Sequence, residues 1–423
     1  MRILVYWEQE SWGGVDTHLL ELLRTWPDRD DEIVLLVNEG NLGFDRLKDC
    51  FESLPHVRCE SFRSYSHNEL SRRLRASGWP RFLSRLLHFA QPLTYFVSVR
   101  RLHKTFCRLG AFDLLLADNG GYPAAWGTIS AIEAGARAGI RARLLLIHHS
   151  AKPPAAFMGM FERMVDSRLM RFASSVVCVS HATRGELLRH RWIDEAAVRI
   201  RVIHNGISPD DRLSPQAAAD IRSRIGINDD VRLIGIVGRI DPYKGHEDLI
   251  FALARLASEQ RGRLHLVVLG SPGAEDEIPR LQRIAYNLGV ESNVKFLGYV
   301  EGKPVDLIAQ LDLLVVATRS FEGFGLTLIE AMSVGVPVLA TRVGAIPEFV
   351  HEGNGVLVRP ASPLELAVAL ADFIDDPLPW QKRAEVARKE LDAQRVSMAD
   401  EYRRLFLECL ASADRCDASQ CMS

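Results

Sequence analysis

Short runs of Val, Ile and Leu alternate with longer helical patterns along nearly the whole chain. In the first half these runs predict strands over about 3–6, 33–37, 57–59, 114–117, 144–147, 176–179 and 201–203. In the second half they predict strands over about 233–237, 264–269, 294–296, 313–316, 336–340 and 356–358. The runs are apolar throughout, as expected where helices cover both faces of a parallel sheet. The pattern therefore predicts an α/β fold.

A segment rich in chain breakers separates the two halves. Asn205-Gly206 is followed by Pro209, Asp210 and Asp211, and further breakers continue to about residue 230. We therefore predict a linker there and two doubly wound α/β domains, over residues 1–208 and 209–392. The remaining residues, 393–423, contain a predicted helix over about 397–410 that is free to pack on either domain.

Composition and charge exclude several classes of protein. Lys and Arg total 52 against 54 Asp and Glu, so the net charge of −2 excludes a chain that mainly coats nucleic acid. The apolar start, Ile3 to Trp7, is too short for a signal-peptide core, and no stretch reaches the ~18 apolar residues of a membrane span. The 7 cysteines form no CxxC pair, which argues against a zinc site and a disulfide framework. We expect a cytoplasmic protein with reduced thiols.

A glycine-containing loop follows the first predicted strand. It ends in Gly13-Gly14-Val15 and opens onto a helix, whose N-terminus favours an anion. Glycine in such a turn also has a purely geometric explanation. The chain contains no full GxGxxG and no GxxxxGK[ST], which argues against a nicotinamide oxidoreductase and a P-loop nucleotidase.

A second loop places two cations directly after the strand over 233–237. It runs through Gly238-Arg239 to Lys244-Gly245. Open α/β sheets bind their ligands at the carboxyl ends of the strands. A guanidinium that can fork two oxygens and a nearby ammonium suit a diphosphate. The alternative is a pair of solvated cations on a surface loop.

A third loop combines glycines with carboxylates. Glu322-Gly323-Phe324-Gly325 follows the strand over 313–316 and leads into a helix that contains Glu330. The glycines leave backbone amides open to a phosphate or to sugar hydroxyls, and each carboxylate can accept hydrogen bonds from a pair of hydroxyls. Alternatively, Glu322 interacts with the helix dipole and Glu330 is a surface residue. The apolar neighbours of Glu330 weaken this alternative, because an unpaired buried carboxylate is costly.

These motifs together resemble retaining glycosyltransferase family 4. The resemblance depends on Gly238-Arg239 with Lys244-Gly245, and on Glu322-Gly323-Phe324-Gly325 with Glu330-Ala331-Met332. Matches run in the expected order from residue 3 to about residue 358, and the further ones are Gly13-Gly14-Val15, Asn205-Gly206, Gly335-Val336-Pro337-Val338, Gly344 and Pro347-Glu348. The resemblance implies a GT-B fold, in which two facing Rossmann-like domains enclose the active site in a cleft. It also implies that the C-terminal domain binds the donor, that the N-terminal domain binds the acceptor, and that the closing helix returns to the N-terminal domain.

The resemblance also implies roles for individual residues. Arg239 and Lys244 would bind the diphosphate of a nucleoside-diphosphate sugar, Glu322 the donor sugar, and Glu330 the ribose. Further donor contacts would come from Gly14, Gly238, Tyr299, Gly323, Phe324, Gly325 and Leu326. The family works without a metal ion or other cofactor. A metal-dependent transferase would need an Asp-x-Asp pair near the sugar, and Asp28-Arg29-Asp30 reads as a solvated turn.

Three positions match the family pattern less directly. The family commonly has a histidine after the fifth strand, and His148 fits that position better than the adjacent His149, with an ambiguity of one residue. Ala345 stands where the family usually has a second glycine, and we expect it to fit unless the position needs a positive φ. Arg319 is less usual in the family and is expected to add a charge near the donor sugar.

The implied activity is retaining transfer of a sugar from a nucleoside-diphosphate sugar to a glycan or lipid-linked acceptor, as in the synthesis of cell-surface polysaccharide or glycolipid. His148, Arg239, Lys244 and Glu322 would be the catalytic residues. Two alternatives stay open: a sugar-nucleotide epimerase of related fold, and a non-catalytic subunit that binds sugar nucleotides.

A basic and aromatic segment over residues 58–108 suggests contact with a membrane. Glu60 and Glu69 are its acidic residues, against basic residues at positions 58, 63, 72, 73, 75, 81, 85, 100, 101, 104 and 108. Interleaved aromatic and apolar side chains are typical of a helix at a membrane interface. The alternative is a core-packing helix with a solvated basic face. We expect peripheral binding to an anionic membrane on its cytoplasmic face and no binding of nucleic acid.

Overall fold

The computed structural model describes residues 1–8, 14–39, 41, 44–51, 54–78, 87–206, 220–228, 230–300, 303–393 and 397–421. The chain divides into two compact units. The first contains Met1–Gly206 together with Val396–Ser423, and the second contains Ile207–Arg395. The first part of the predicted linker, residues 207–219, lies outside the described residues.

The first unit is built on a parallel sheet. Its strands are β1 (Arg2–Trp7), β2 (Glu32–Asn38), β3 (Val57–Phe62), β4 (Leu114–Asn119), β5 (Ala142–Ile147), β6 (Ser175–Cys178) and β7 (Arg199–Val202). Among the described residues this sheet has 7 strands, in the order β3-β2-β1-β4-β5-β6-β7. Its helices are α1 (Gly14–Arg24), α2 (Phe44–Phe51), α3 (His67–Ala76), α4 (Gln91–Leu109), α5 (Trp126–Arg137), α6 (Gly159–Phe172) and α7 (His181–His190).

The second unit has a parallel sheet of its own. Its strands are β8 (Arg232–Val237), β9 (Leu264–Leu269), β10 (Val294–Gly298), β11 (Leu313–Val316), β12 (Val338–Thr341) and β13 (Val356–Val358). The described part of this sheet has 6 strands, in the order β10-β9-β8-β11-β12-β13. The helices are α8 (Ile221–Ile225), α9 (His246–Arg255), α10 (Ser258–Gly262), α11 (Glu277–Asn287), α12 (Pro304–Ile308), α13 (Leu326–Ser333), α14 (Ile346–Phe349), α15 (Pro363–Asp375) and α16 (Leu378–Ala393).

Burial explains why the strand segments are apolar throughout. In β4 all six residues are buried, and in β1 all are buried except the first. Side chains on both faces of these strands lie in the core, because alternate residues of a strand point to opposite faces of the sheet and helices cover both. The prediction of two doubly wound α/β sheets is confirmed, with every predicted strand present and only its ends shifted.

The last helix, α17 (Met398–Cys421), belongs to the first unit and is longer than predicted. Phe406 packs its ring 5.4 Å from that of Trp26, the residue just beyond α1, and both side chains are buried. Arg403 forms an ion pair with Asp28 in the turn before β2. That turn is the Asp-x-Asp element of the sequence, and here its first carboxylate pairs with an arginine.

None of the helices in the described part of the chain combines the length and the apolar character needed to cross a membrane.

Replacing Phe406 with alanine tests how much the packing of α17 contributes. The substitution leaves a cavity against Trp26, so we expect the free energy of unfolding of the first unit to fall by about 3–5 kcal/mol. Leu407→Ala is the matched control, because Leu407 is the next residue on the helix and is 44% exposed. Urea unfolding followed by tryptophan fluorescence measures both variants. Equal losses in the two would contradict the packing described here.

Candidate functional site

The loop that follows β8 carries the first pair of predicted donor ligands. Gly238 directly follows the strand and has a φ of +136°, and the side chain of the next residue, Arg239, is 57% exposed. The Arg239 guanidinium donates a hydrogen bond of 2.7 Å to the Tyr243 hydroxyl. The Lys244 ammonium lies 5.6 Å from the centre of the same ring. The Tyr243 side chain therefore contacts both residues that are predicted to bind the diphosphate.

The loop that follows β11 meets this cationic loop through Glu322. The Lys244 Nζ lies 2.7 Å from Glu322 Oε2, although the two residues are 78 positions apart in the chain. The Thr318 hydroxyl donates to the same oxygen at 3.1 Å. Both charged side chains of the pair are partly exposed, Lys244 by 25% and Glu322 by 13%. The structure thus brings two of the predicted catalytic residues into direct contact.

Two glycines, one after β8 and one after β12, allow neighbouring backbone to approach the loop that follows β11 closely. Gly245 has a φ of +75°, and a Cβ there would lie 1.9 Å from the Ala317 carbonyl oxygen. Gly344 has a φ of +53°, and its Cβ would lie 2.1 Å from the carbonyl oxygen of Glu322. Ala345 has a φ of −80° and donates its backbone N–H to that same carbonyl at 2.9 Å. The expectation that alanine fits at position 345 is confirmed, because the left-handed residue is Gly344.

The other predicted donor residues of the second unit, apart from Tyr299, belong to α13 and the loop before it. Gly325, with a φ of +90°, is the residue before that helix, and Leu326 is its first residue. Phe324 is buried against the ring of Phe349 at 4.8 Å. Glu330 lies half-buried on the second turn of α13. Gly323 lies between Glu322 and Phe324 in the same loop, and the exposed Tyr299 follows directly on β10.

The predicted site residues of the first unit are Gly14 and His148. Gly14 is the first residue of α1, and the rest of its loop, residues 9–13, lies outside the described residues. His148 follows β5 and is buried, with its Nε2 2.9 Å from Asp118 Oδ1 at the end of β4. His149 instead has its Nδ1 3.0 Å from the hydroxyl of the neighbouring Ser150. The Asp118 carboxylate therefore orients the ring of His148.

Behind His148 lies a second buried histidine, His18 of α1. Its ring meets that of His148 edge to face at 4.6 Å, and Tyr402 of α17 lies 5.8 Å from it on another side. Burial, together with the neighbouring His148, holds the pKa of His18 well below its usual value. His18 is therefore neutral at physiological pH, and its uncharged ring packs against that of His148.

Arg319, which lies in the loop after β11, is paired within the second unit. Its guanidinium pairs with both carboxylate oxygens of Asp248 in the first turn of α9, at 2.6 and 2.7 Å. The guanidinium is thus paired with a carboxylate of the same unit, and the expected extra charge near the donor sugar stays a prediction.

Sequence reasoning missed Asp118, His18, Thr318 and Tyr243. Asp118 had a usable signal, because it comes directly after a predicted strand at the edge of the sheet where His148 also lies. Tyr243 is within the cationic loop itself. His18 had no comparable signal, since it reads as one more residue on an amphipathic helix.

Gly344→Ala tests whether the Glu322 loop depends on a bare backbone at that position. The new Cβ must displace Glu322 and hold a left-handed φ, so we expect the second unit to lose about 1–3 kcal/mol of stability. The reverse change next door, Ala345→Gly, is the control and costs about 0.4–1 kcal/mol. Thermal unfolding of both variants against the unmodified chain gives the comparison. A loss in Gly344→Ala no larger than in the control would show that the close approach is unimportant.

Comparisons with known proteins identify the family of the chain. The sequence pattern of the family described as Glycosyltransferase Family 4 matches residues 12–211, and that of Glycosyl transferases group 1 matches residues 218–390. Among curated relatives, an uncharacterized glycosyltransferase of Methanocaldococcus jannaschii, MJ1607, is 35% identical over 182 residues, which is 42% of this chain and 45% of that protein. A D-inositol 3-phosphate glycosyltransferase of Streptomyces avermitilis is 30% identical over 284 residues, 64% of this chain and 59% of the relative. The chain thus spans roughly half the length of these curated relatives.

Solved structures extend the likeness over almost the whole chain. Anabaena Alr3699/HepE in complex with UDP has a TM-score of 0.74 at 22% identity, covering 96% of this chain and 100% of that one. Sucrose-phosphate synthase from Thermosynechococcus elongatus has a TM-score of 0.70 at 20% identity, covering 97% and 100%. At such identities the likeness shows the fold. With the two family patterns matching in sequence order, the chain belongs to the group 1 glycosyltransferases of the family 4 type, which have a GT-B fold with two Rossmann-like domains.

Proposed function

We propose that this chain transfers a sugar from a nucleoside-diphosphate sugar to a glycan or lipid-linked acceptor, with retention of the anomeric configuration and without a metal ion. The observation that carries the proposal is the pairing of Lys244 with Glu322 at 2.7 Å, beside Arg239, where β8 and β11 end. Two cations and a carboxylate at the carboxyl ends of parallel strands match the chemistry of a diphosphate joined to a sugar.

The two cations would act on the leaving group. When the bond between the sugar and the diphosphate breaks, negative charge grows on the diphosphate oxygens, and preorganised cations stabilise that charge. Arg239 can fork two oxygens, whereas Lys244 acts as a point charge. Because cationic side chains neutralise the leaving group, the proposal needs no divalent ion.

The carboxylates would hold the donor. Glu322 keeps one oxygen on Lys244 and Thr318, and we assign the carboxylate to the hydroxyls of the donor sugar. Glu330, one turn into α13, is assigned to the ribose hydroxyls. The amides at the start of α13 add a helix N-terminus, which favours a phosphate or a sugar hydroxyl.

His148 would support the donor sugar from the first unit. Its Nε2 faces Asp118, so the proton that it shares with the carboxylate lies on that nitrogen and Nδ1 is left to accept a hydrogen bond from a hydroxyl. Asp118 thereby fixes both the tautomer and the ring orientation. In this assignment the acceptor hydroxyl attacks the sugar and the leaving phosphate takes its proton, so His148 positions a sugar hydroxyl and is not the general base.

The relatives suggest which donor to test first. Anabaena Alr3699/HepE was solved with UDP-glucose as well as with UDP, and several curated relatives are D-inositol 3-phosphate glycosyltransferases. We therefore propose a UDP-sugar as the donor class. For the acceptor, we propose a cell-surface polysaccharide or a glycolipid precursor at the cytoplasmic face of the membrane.

The central experiment is incubation of the full chain with radiolabelled UDP-glucose and a panel of other nucleotide sugars in EDTA. We expect release of the nucleoside diphosphate, and transfer to a supplied acceptor with the anomeric configuration of the donor kept in the product, as read by NMR. An inverted linkage or a strict need for Mg²⁺ or Mn²⁺ would refute the mechanism. A changed sugar still attached to the nucleotide would indicate an epimerase, and binding without turnover would indicate a non-catalytic subunit.

Removing the cations one at a time tests the donor assignment. Arg239→Ala and Lys244→Ala should each lower the rate of transfer by about a hundredfold or more, because a preorganised charge on the leaving group is lost. Arg359→Ala and Lys382→Ala are controls, since both residues are exposed cations of the same unit outside the donor loops. Transfer rates near the unmodified level in Arg239→Ala and Lys244→Ala would overturn the assignment.

An exposed apolar patch on the first unit favours contact with a membrane. Phe89, Leu93 and Phe96, at and near the start of α4, are exposed by 66%, 68% and 42%. Phe157 packs on Phe89 with ring centres 5.2 Å apart, and Met160 at the start of α6 is 89% exposed. We name these five residues the α4 patch.

Basic residues continue the same face of α4. Arg100, Arg101, Lys104 and Arg108 are exposed on the part of the helix that follows the patch. An apolar surface of this kind bordered by cations suits an anionic bilayer, where each cation near the surface contributes about 1 kcal/mol. We therefore propose that the α4 patch contacts an anionic membrane.

Two details of the basic segment differ from the interfacial interpretation. Tyr95 is buried and donates its hydroxyl to Glu133 at 3.0 Å, so it belongs to the core. Arg72 and Arg73 both pair with the buried Glu69. Residues 79–86, which include Trp79 and Phe82, lie outside the described residues.

Co-sedimentation with vesicles tests the membrane proposal. The chain should bind vesicles that contain phosphatidylserine at low salt, and binding should fall with added NaCl, with Leu93→Ser/Phe96→Ser, and with Arg100→Gln/Lys104→Gln. Val368→Ser is the control, because Val368 is an exposed apolar residue of the second unit. No binding at low salt would contradict the proposal and would favour a soluble acceptor.

A further inference from the structure

Arg319 joins three elements of the second unit. Its side chain forms the two-bond pair with Asp248 of α9, and its backbone N–H donates to the Tyr243 carbonyl at 2.7 Å. The residue itself lies in the loop after β11, three positions before Glu322. The same residue is therefore bonded to the cationic loop through its backbone and to the helix that follows this loop through its side chain.

The burial and geometry of the ion pair between Arg319 and Asp248 favour a rigid contact. The Asp248 side chain is only 6% exposed and that of Arg319 is 31% exposed, so water competes weakly for the carboxylate. A planar guanidinium that makes two parallel bonds to a carboxylate fixes orientation as well as distance. A lysine at this position would keep the charge and lose the second bond.

A further ion pair anchors the same helix start on the other side. Glu247, the neighbour of Asp248, lies 3.2 Å from Arg280 of α11, and Arg280 also pairs with Glu277 of its own helix at 2.9 Å. Arg319 lies 3.7 Å from Glu247 as well. The start of α9 is thus held between the loop after β11 and α11.

We propose that Arg319 is a positioning residue that fixes the spacing between the cationic loop, 239–245, and the loop that carries Glu322. This inference rests on the proposed function, since it assumes that the two loops act on one donor. Arg319 acts through the Tyr243 carbonyl, which accepts its backbone N–H, and through the Asp248 carboxylate, which accepts from its guanidinium. A misplacement of about 1 Å between reacting groups costs on the order of a hundredfold in rate.

Steady-state kinetics with UDP-glucose, or with the nucleotide sugar found to be turned over, separates positioning from direct contact. We expect Arg319→Ala and Asp248→Asn each to lower kcat at least tenfold while the KM for the donor stays within about threefold. The double variant should be no worse than either single variant, because both break the same pair. Arg319→Lys should recover only part of the lost kcat.

Arg222→Ala is the matched control for lost stability. Arg222 forms an ion pair of 2.6 Å with the half-buried Asp312, which lies just before β11 at the opposite end of the strand from Glu322. Its loss should lower stability by a similar amount and leave kcat unchanged. If Arg222→Ala lowers kcat as much as Arg319→Ala does, or if Asp248→Asn keeps the full kcat while Arg319→Ala loses it, the positioning role is refuted.

Hydrogen exchange tests the inference without a substrate. In Arg319→Ala, amides of 239–249 and 317–325 should exchange at least tenfold faster than in the unmodified chain, whereas in Arg222→Ala they should not. Unchanged exchange in Arg319→Ala overturns the proposal. A chain that turns over no nucleotide sugar refutes the proposed function alone, because the exchange result still decides whether Arg319 holds the two loops together.

Discussion

The contact between Lys244 and Glu322 is the constraint that relates the two loops of the candidate site in the second unit. Each of these residues comes from a loop at the carboxyl end of a different strand, and β8 and β11 are neighbours in the sheet. A parallel sheet brings such loops to one edge, yet it does not fix the distance between their side chains. Gly245 and Gly344 provide the room, since a side chain at either position would strike the backbone of the neighbouring loop. The ion pair of Lys244 and Glu322 then forms between loops whose backbones are able to approach each other.

The same principle operates with different chemistry in the first unit. His148 and Asp118 also end neighbouring strands, β5 and β4, and their contact is again made at the carboxyl edge of the sheet. Here the pair is buried, and the neutral ring of His18 packs against His148. A buried pair restricts the tautomer of His148, whereas the partly exposed pair of Lys244 and Glu322 leaves both groups accessible.

The strands and the glycine-containing loops were predictable because local signals determine them. Apolar runs such as 114–117 mark buried strands, and Gly238 with Gly325 mark turns that require a positive φ. Partners across long stretches of chain were not predictable, because a single sequence shows that Arg319 is charged and does not show that Asp248, 71 positions earlier, lies beside it. Tyr95 shows the same limit. Whether it is buried or exposed depends on which face of α4 meets α5, and a single sequence does not show this. What the sequence lacked was therefore long-range pairing, and this includes the partners of the candidate site.

The return of α17 to the first unit has a consequence for synthesis of the protein. Residues 1–206 emerge from the ribosome long before Tyr402 and Phe406 are synthesised. In the finished fold Phe406 packs on Trp26, and Tyr402 packs on His18. Until then, Trp26 and His18 lack these partners in the nascent first unit. The second unit is continuous from 207 to 395, so all of its strands are synthesised before α17. The unit whose synthesis begins first is thus completed last. During the interval, its uncovered apolar surface can bind a chaperone or associate with another chain.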